Sequence, residues 1–518
     1  MRVQFQTSCV YAWHVSSRTS ATPALGPLPA ARLVARRHRI WGPLSALSWP
    51  VGALLALVAL QALVLGGASL ARHSAYNTNA YDLSWFDQLA WNAAHDHPFR
   101  SSFVPYNVLG NHFEPVVVLL GGLYRVWPSP AALLVLQAVA VSLAAVPLYL
   151  AARRLLWSSL AALLIAAAYL LAPQLHRAVL FDFHPELLAP LCLCSAFAAL
   201  VYQRSGLALV LLSPVFLLKE DAWLIALGFA LLCWLLHARR TAAVLLALAA
   251  VYLLVVVGVL MPHVRAGYPG ELSRYRYLGE RLRDYPITTI RHPGWVWGHV
   301  SQPYQARQLA GLVASQALLP LAGPAFLVAL PLTATHLLST HQPQSALDFH
   351  YAAAPTVLLF LASVLGVRRL TDWRRSRRCL SVLHVQRSAQ PVVLAAVLLL
   401  AEGIAYLVSS PLGLPFDLTL YRQTQHTQVV ARALRIIPPR VSVSAQTGLL
   451  PHLSEREDIH EFPDLGEAAF VAVDRQGRRS SQSGAAGYAA QLAALRSQGY
   501  CLRFDDDGVQ VYERCPDP

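Results

Sequence analysis

The chain has 518 residues, 56% of them hydrophobic and only 13% charged, with a mean hydropathy of +0.44 and a formal net charge of +14. A water-soluble domain carries roughly 25% charged residues, so this composition excludes an ordinary soluble globular protein and points to a polytopic helical membrane protein. The positive charge does not point to nucleic acid, because many arginines sit in short clusters between apolar runs, where they orient helices, and no basic stripe interleaved with aromatics is present.

Taken in chain order, residues 1–45 are rich in Ser, Pro, Ala and Arg and lack the apolar run of a cleavable signal peptide. They read as a loose cytoplasmic leader. Arg32, Arg36, Arg37 and Arg39 precede the first predicted span, about 50–71, which places the N-terminus in the cytoplasm by the positive-inside rule. A first outer loop, 72–129, follows; within it "VVVLLGGLYRVW" is too short to span and reads as an interfacial or re-entrant helix. Later apolar runs alternate with Arg153 and Arg154, Arg204, Arg239 and Arg240, and Arg368 and Arg369. A second outer loop, 263–307, and a Pro-rich pair, 308–338, interrupt them. The pattern predicts an all-α bundle of about eleven crossings over 46–410.

Residues 411–518 change character. "VSVSAQ" and "AAFVAVD" read as strands, "AAGYAAQLAALRSQG" as a helix ended by Gly499, and "CLRFDDDGVQVYERC" as an Asp-Gly hairpin between Cys501 and Cys515. This is a small α/β domain, extracytoplasmic in the threading above, where a disulfide between those cysteines is compatible with the compartment. Cys192 and Cys194 lie in an apolar run and read as packing residues.

The unusual polar groups fall at one side of this threading: Asp82 and Asp87 in "YDLSWFDQLAW", His112 and Glu114 in "GNHFEP", Asp182, His184 and Glu186 in "FDFHPE", "LKED" at 218–221, and His350 and Tyr351 in "LDFHY". Each has a plainer reading as a helix cap or a first-turn acid complementing the helix dipole. Asp82 and Asp87 are five residues apart, about 140° on a regular helix, and are a poor metal pair unless the segment is irregular. Among 41 lysines and arginines, Lys219 is the one lysine. Its ammonium is a compact point charge suited to phosphate, which arginine does not replace. The arginines of the second outer loop, Arg274 and Arg276 in "SRYRYLG" among them, offend the positive-inside rule: either the threading fails there or they meet an anion.

These motifs in this order, from "YDLSWFDQLAWNAAH" and "NVLGNHFEPVVVLLGG" through "FDFHPELLAP", "LLKEDAW", "SRYRYLG" and "FHYAAAP" to "PHLSEREDIHEFPD", resemble the domain of unknown function 2079 family of multi-spanning membrane proteins over about 75–500. That family is distantly similar to the GT-C glycosyltransferases, which take a sugar from a polyprenyl-phosphate carrier at the outer membrane face. The resemblance implies a GT-C-like helical bundle in the plasma membrane and a polyprenyl-phosphate-sugar donor, with the acceptor left open. It also implies an acid of the first outer loop as base or metal ligand, here Asp87 or Asp82. The usual acidic pair is adjacent or one apart; the wider spacing here leaves open which acid acts. Lys219, Arg274 and Arg276 would meet the phosphate, and His184, Glu186, His112, Glu114, His350 and Tyr351 would line the same cavity. A divalent metal, Mg or Mn, would fall to Asp82, Asp87 or Asp182. The alternatives are a transporter or flippase of a lipid-linked or anionic solute, since intramembrane charges mark transport pathways equally, and a non-catalytic envelope protein.

Overall fold

The computed structural model describes residues 48–268, 270–281, 283–376, 389–477 and 485–516. The predicted leader lies outside them. Among the described residues five helices are long and apolar enough to cross a bilayer: Trp49–Ser74, Pro130–Leu156, Arg239–Val264, Gln342–Trp373 and Gln390–Ser409. Ser159–Leu170 and Pro173–Phe181 make a sixth if their 42° bend is one broken span. The bend sits where Pro173 opens the second helix, lacking the N–H that would continue the first. Three shorter apolar helices, Pro185–Val201, Ser205–Leu217 and Ala222–Leu235, fall below the length of an unbroken span. These short helices, with the Pro-rich stretch that breaks into separate turns at Leu319–Ala322 and Pro324–Val328, separate this count from the eleven expected.

Position in the bundle follows burial. The most apolar window of Gln342–Trp373 is 89% buried, against 22% for Trp49–Ser74 and 17% for Arg239–Val264 and Gln390–Ser409. The first is the central column, and the other three turn most of their apolar surface outward, as lipid-facing helices do. The short "VVVLLGGLYRVW" helix forms at Val117–Tyr124 and packs on the helix Trp85–Ala94 of the same loop. Gly121 permits the contact: a Cβ there would lie 2.7 Å from that of Ala93.

The C-terminal region holds five strands, β1 (Val443–Ala445), β2 (Ile459–Glu461), β3 (Phe470–Asp474), β4 (Tyr500–Asp506) and β5 (Val509–Arg514), in the order β2-β1-β3-β5-β4. β1 runs parallel to β2 and β3, while β5 is antiparallel to β3 and β4. Along β3 the residues alternate faces. Phe470 and Ala472 pack toward the helix Gln425–Leu434, and Val471 and Val473 toward the helix Ala485–Ala494. Asp507 and Gly508 turn the β4–β5 hairpin with φ of 47° and 80°, the positive values a two-residue turn demands. Cys501 and Cys515 form the disulfide that closes this hairpin. Replacing both with Ser is expected to cost the domain about 3 kcal/mol, the loop-closure entropy of a ring near 15 residues, read as a lower unfolding midpoint.

His426 fastens the helix Gln425–Leu434 to the sheet, its Nδ1 2.8 Å from Asp507 and its Nε2 2.9 Å from Asp474. Partial burial disfavours the imidazolium, but the two carboxylates outweigh it and hold the pKa above 6.5. A histidine raised on folding stabilises fully below its unfolded pKa and ceases to do so as pH rises through the folded one. His426→Ala should therefore lower the unfolding midpoint more at pH 6 than at pH 9, and equal losses would show that the bracket carries no charge.

Candidate functional site

Asp82 lies on a single π-turn, Ala80–Ser84, that precedes the regular helix Trp85–Ala94. Its Oδ1 is 3.2 Å from Nε2 of His184. His184 is extended, as a residue before proline is driven to be. Buried Gln137 fixes it there: the Gln137 amide donates to the carbonyls of Val179 and Asp182 at 2.9 and 2.8 Å and accepts the His184 N–H at 3.2 Å. The His184 ring stacks on that of His350, centroids 3.7 Å apart at 21°. His350 Nε2 is 3.9 Å from Glu186 Oε1, and the same carboxylate pairs with Lys219. The Lys219 ammonium lies 5.2 Å above the Tyr351 ring, whose hydroxyl accepts from Arg274 at 3.4 Å.

The three consecutive charges of "LKED" therefore part company. Lys219 takes Glu186, Glu220 takes His112 at 2.9 Å and the Phe113 N–H at 3.2 Å, and Asp221 faces His336 at 3.7 Å. The lysine is held by Glu186 rather than by its acidic neighbours in sequence. Glu114 is buried beside this group. Burial, with Glu186 and Glu220 acting in the same direction against His112 and Lys219, pushes its pKa up to about 8.

Beside the cluster opens a cavity of about 500 Å³. Lys219, Asp221, Arg274 and His336 mark its polar end, and Trp223, Leu253, Val257, Leu278 and Ile290 give it long apolar walls. A second void of about 20 Å³ lies between Glu186, Lys219, His336 and His350, room for one water. Three buried atoms around it and the stacked rings, His184 Nδ1, Glu186 Oε2 and His350 Nδ1, have no protein hydrogen-bond partner.

Not every candidate joins this group. Asp87 is fully buried elsewhere, with Tyr124 donating to Oδ1 at 2.5 Å and Ser454 to Oδ2 at 2.6 Å. It clamps the first loop to the C-terminal domain. Neighbouring Gln88 and Ser102 do the same, bonding the backbone of Arg456, Glu457 and Ile459. Arg276 is exposed and lies away from the cavity wall that Arg274 joins. The metal candidates do not converge either. Asp182 is occupied by Arg72 at 3.4 Å and by both nitrogens of Asn79 at 3.1 and 2.6 Å, and Asp87 by its two hydroxyls. Among the described residues no group of three or more His, Cys, Asp or Glu is arranged to hold a metal ion. These side chains do not fit a Mg or Mn site.

The family model described as a predicted membrane protein of the DUF2079 type matches residues 72–486. The chain belongs to this family. Every group of the polar cluster in this DUF2079 protein, Asp82 through Tyr351, lies inside the matched region. No curated protein matches it by sequence. Among solved structures it is similar to ArnT from Cupriavidus metallidurans bound to undecaprenyl phosphate, at 12% identity over 89% of this chain and 98% of that one, with a TM-score of 0.49. The apo state of the same protein matches at 14% identity, 90% and 98% coverage and a TM-score of 0.48. The apo oligosaccharyltransferase of Archaeoglobus fulgidus matches at 13% identity over 80% of this chain and 65% of that one, with a TM-score of 0.41.

Sequence reading of the DUF2079 chain overlooked Gln137, His336 and Gln344. Gln137 stands in the middle of an apolar span, and that isolation was its signal, since a buried amide must find partners. Gln344 accepts from Arg274 at 3.2 Å and donates to Tyr275 at 3.2 Å.

Proposed function

We propose that this multi-pass membrane protein transfers a sugar from a polyprenyl-phosphate-linked donor to an acceptor hydroxyl at the outer face of the membrane. The observation that carries the reading is the cavity: Lys219 and Arg274 stand beside Glu220 and Asp221 at its polar end, and the rest is long and apolar, as a ligand with a charged head and a hydrocarbon tail requires. Lys219 and Arg274 would receive the phosphate. Asp82, its side chain 24% exposed and linked to the cluster through His184, would accept the proton of the acceptor hydroxyl. The acceptor oxygen then bonds to the anomeric carbon from the face opposite the phosphate. The carbon–oxygen bond to the phosphate breaks, and its electron pair leaves on polyprenyl phosphate. That leaving group is already anionic and needs positive charge more than a proton. No step requires Asp87.

Sidedness is supported by the disulfide between Cys501 and Cys515, since such bonds persist in oxidising compartments. Ser454 and the backbone beside it tie that domain to the first loop, so both would face outward. Membrane-impermeant labelling of cysteines introduced near residues 82, 184 and 350 is expected from outside the cell; labelling from the cytoplasmic side would reverse the assignment.

The direct test supplies purified protein in nanodiscs with polyprenyl-phosphate sugars and a crude acceptor extract. Release of free polyprenyl phosphate together with a glycosylated acceptor is expected. Movement of the intact donor across vesicles with neither release nor transfer would make the protein a carrier instead.

A further inference from the structure

Apart from Arg274 and the cavity walls, the segment between the span Arg239–Val264 and the helix Pro303–Ala314 supplies no group to the chemistry above, and its surface is unusual. Its helices Asp284–Arg291 and Pro293–Val300 contain no buried residue. They expose Ile287 at 48%, Ile290 at 80%, Trp295 at 57% and Trp297 at 72%. Interleaved with these, or just beyond them, are five exposed arginines: Arg276, Arg281, Arg283, Arg291 and Arg307. The acids of the segment are Glu271, Glu280 and Asp284; Asp284 already accepts the Arg281 N–H at 3.0 Å and lies 3.9 Å from the Arg283 Nε.

Isolated in water, large apolar side chains exposed at this density are costly. The combination with arginine has a specific solution: tryptophan prefers the headgroup layer, and guanidinium pairs with phosphate in two-point geometry. Position agrees, because the segment begins where a membrane-length helix ends and is tied at that point by Arg265, whose Nε donates to the Gly110 carbonyl at 2.6 Å. The patch also borders the cavity. Tyr285, Pro286, Thr289 and Ile290 form part of its wall, and Ile290 is the most exposed of the four large apolar residues.

We infer that the helices Asp284–Arg291 and Pro293–Val300 form a platform that docks on the anionic phospholipid surface of the adjoining leaflet. Its tryptophans and isoleucines enter the headgroup boundary and its arginines meet lipid phosphates. Docked this way, the platform turns the cavity mouth toward the bilayer, the side from which a lipid-borne substrate arrives. Only this last consequence rests on the transferase reading; the docking does not.

Tryptophan fluorescence of the full chain in nanodiscs tests it. The nanodiscs contain phosphatidylcholine brominated near the headgroup end of the acyl chain, with or without phosphatidylglycerol. Native protein should be quenched more than the W295F/W297F variant, and phosphatidylglycerol should enlarge the difference. Replacing Arg281, Arg283 and Arg291 by Gln should remove that enlargement, each arginine at such a surface being worth on the order of five-fold in affinity. Equal quenching of native and W295F/W297F protein would place the platform off the membrane and overturn the inference. So would quenching that ignores lipid charge. Because the readout is optical, absence of glycosyl transfer would leave it standing, and loss of quenching would leave the transferase reading standing.

Discussion

Asp82→Asn is expected to lower turnover by roughly 10²–10⁴-fold, the range for loss of a positioned general base, while donor binding persists. The amide keeps the shape of the side chain and its contact with His184 but cannot take up a proton. The informative comparison is Asp87→Asn. Asp87 sits behind Tyr124 and Ser454, so this variant should keep its chemistry and alter instead how the C-terminal domain is fastened. Burial, aided by Glu455, pushes the Asp87 pKa up to about 7 against the lowering pull of its two hydroxyl partners. An acid raised in this way stabilises the fold below its unfolded pKa, near 4, and that contribution fades as pH rises through the folded value. Asp87→Asn should therefore flatten the dependence of unfolding midpoint on pH between about 4 and 7. Full activity in Asp82→Asn with inactivity in Asp87→Asn would transfer the base to the other acid and sink the assignment made here.

Lys219→Met should destabilise the protein by about 3–5 kcal/mol, the usual consequence of stranding one member of a buried ion pair. The side chains of Lys219 and Glu186 are 10% and 13% exposed, and Glu186 Oε2 already lacks a partner. Removing the ammonium leaves a buried carboxylate beside the His350 and His184 rings. A second change, Glu186→Leu, should restore most of the stability because neither charge then remains to be solvated. It should not restore binding of a polyprenyl phosphate, which needs the cation. Lys219→Arg should recover neither property in full, the planar guanidinium being too broad for a site closed by Tyr351 and His350. Thermal unfolding in nanodiscs reads the first effect and retention of a labelled lipid phosphate the second. Lys219→Met protein that unfolds and binds like the native chain would end the claim that this lysine organises the site.

Much of this was legible beforehand. Apolar runs and arginine placement announced a membrane bundle, and period-two patterning with an Asp-Gly turn announced β3 and the β4–β5 hairpin. The threading put Asp82, Asp87, His112, His184, Glu186, Lys219, Arg276 and Tyr351 on one side; Asp82, His184, Glu186, Lys219 and Tyr351 lie in one chain of contacts, His112 reaches it through Glu220, and Asp87 and Arg276 lie elsewhere. Three things were hidden for physical reasons. The separate placement of Asp82 and Asp87 follows a π-turn that shifts the helical phase between them, which five-residue spacing does not disclose. The partners of Lys219, Glu220 and Asp221 come from segments 33, 108 and 115 residues away (219 − 186, 220 − 112 and 336 − 221), so adjacency in sequence misled. Strand β2 has only three residues, Ile459–Glu461, and forms because β1 offers a parallel edge, not because its own pattern is strong.

The turn at Lys219–Asp221 has a mechanical meaning beyond its charges. Three successive residues grip the start of one helix, the loop ahead of another and the end of a third, so the turn works as a common pin for parts that would otherwise slide independently. A ligand that draws on Lys219 shares the three N–H groups of the ammonium with Glu186, and the adjoining backbone also carries the His112 and His336 arms. Occupancy of the chamber is therefore expected to shift the His112 and His336 contacts together.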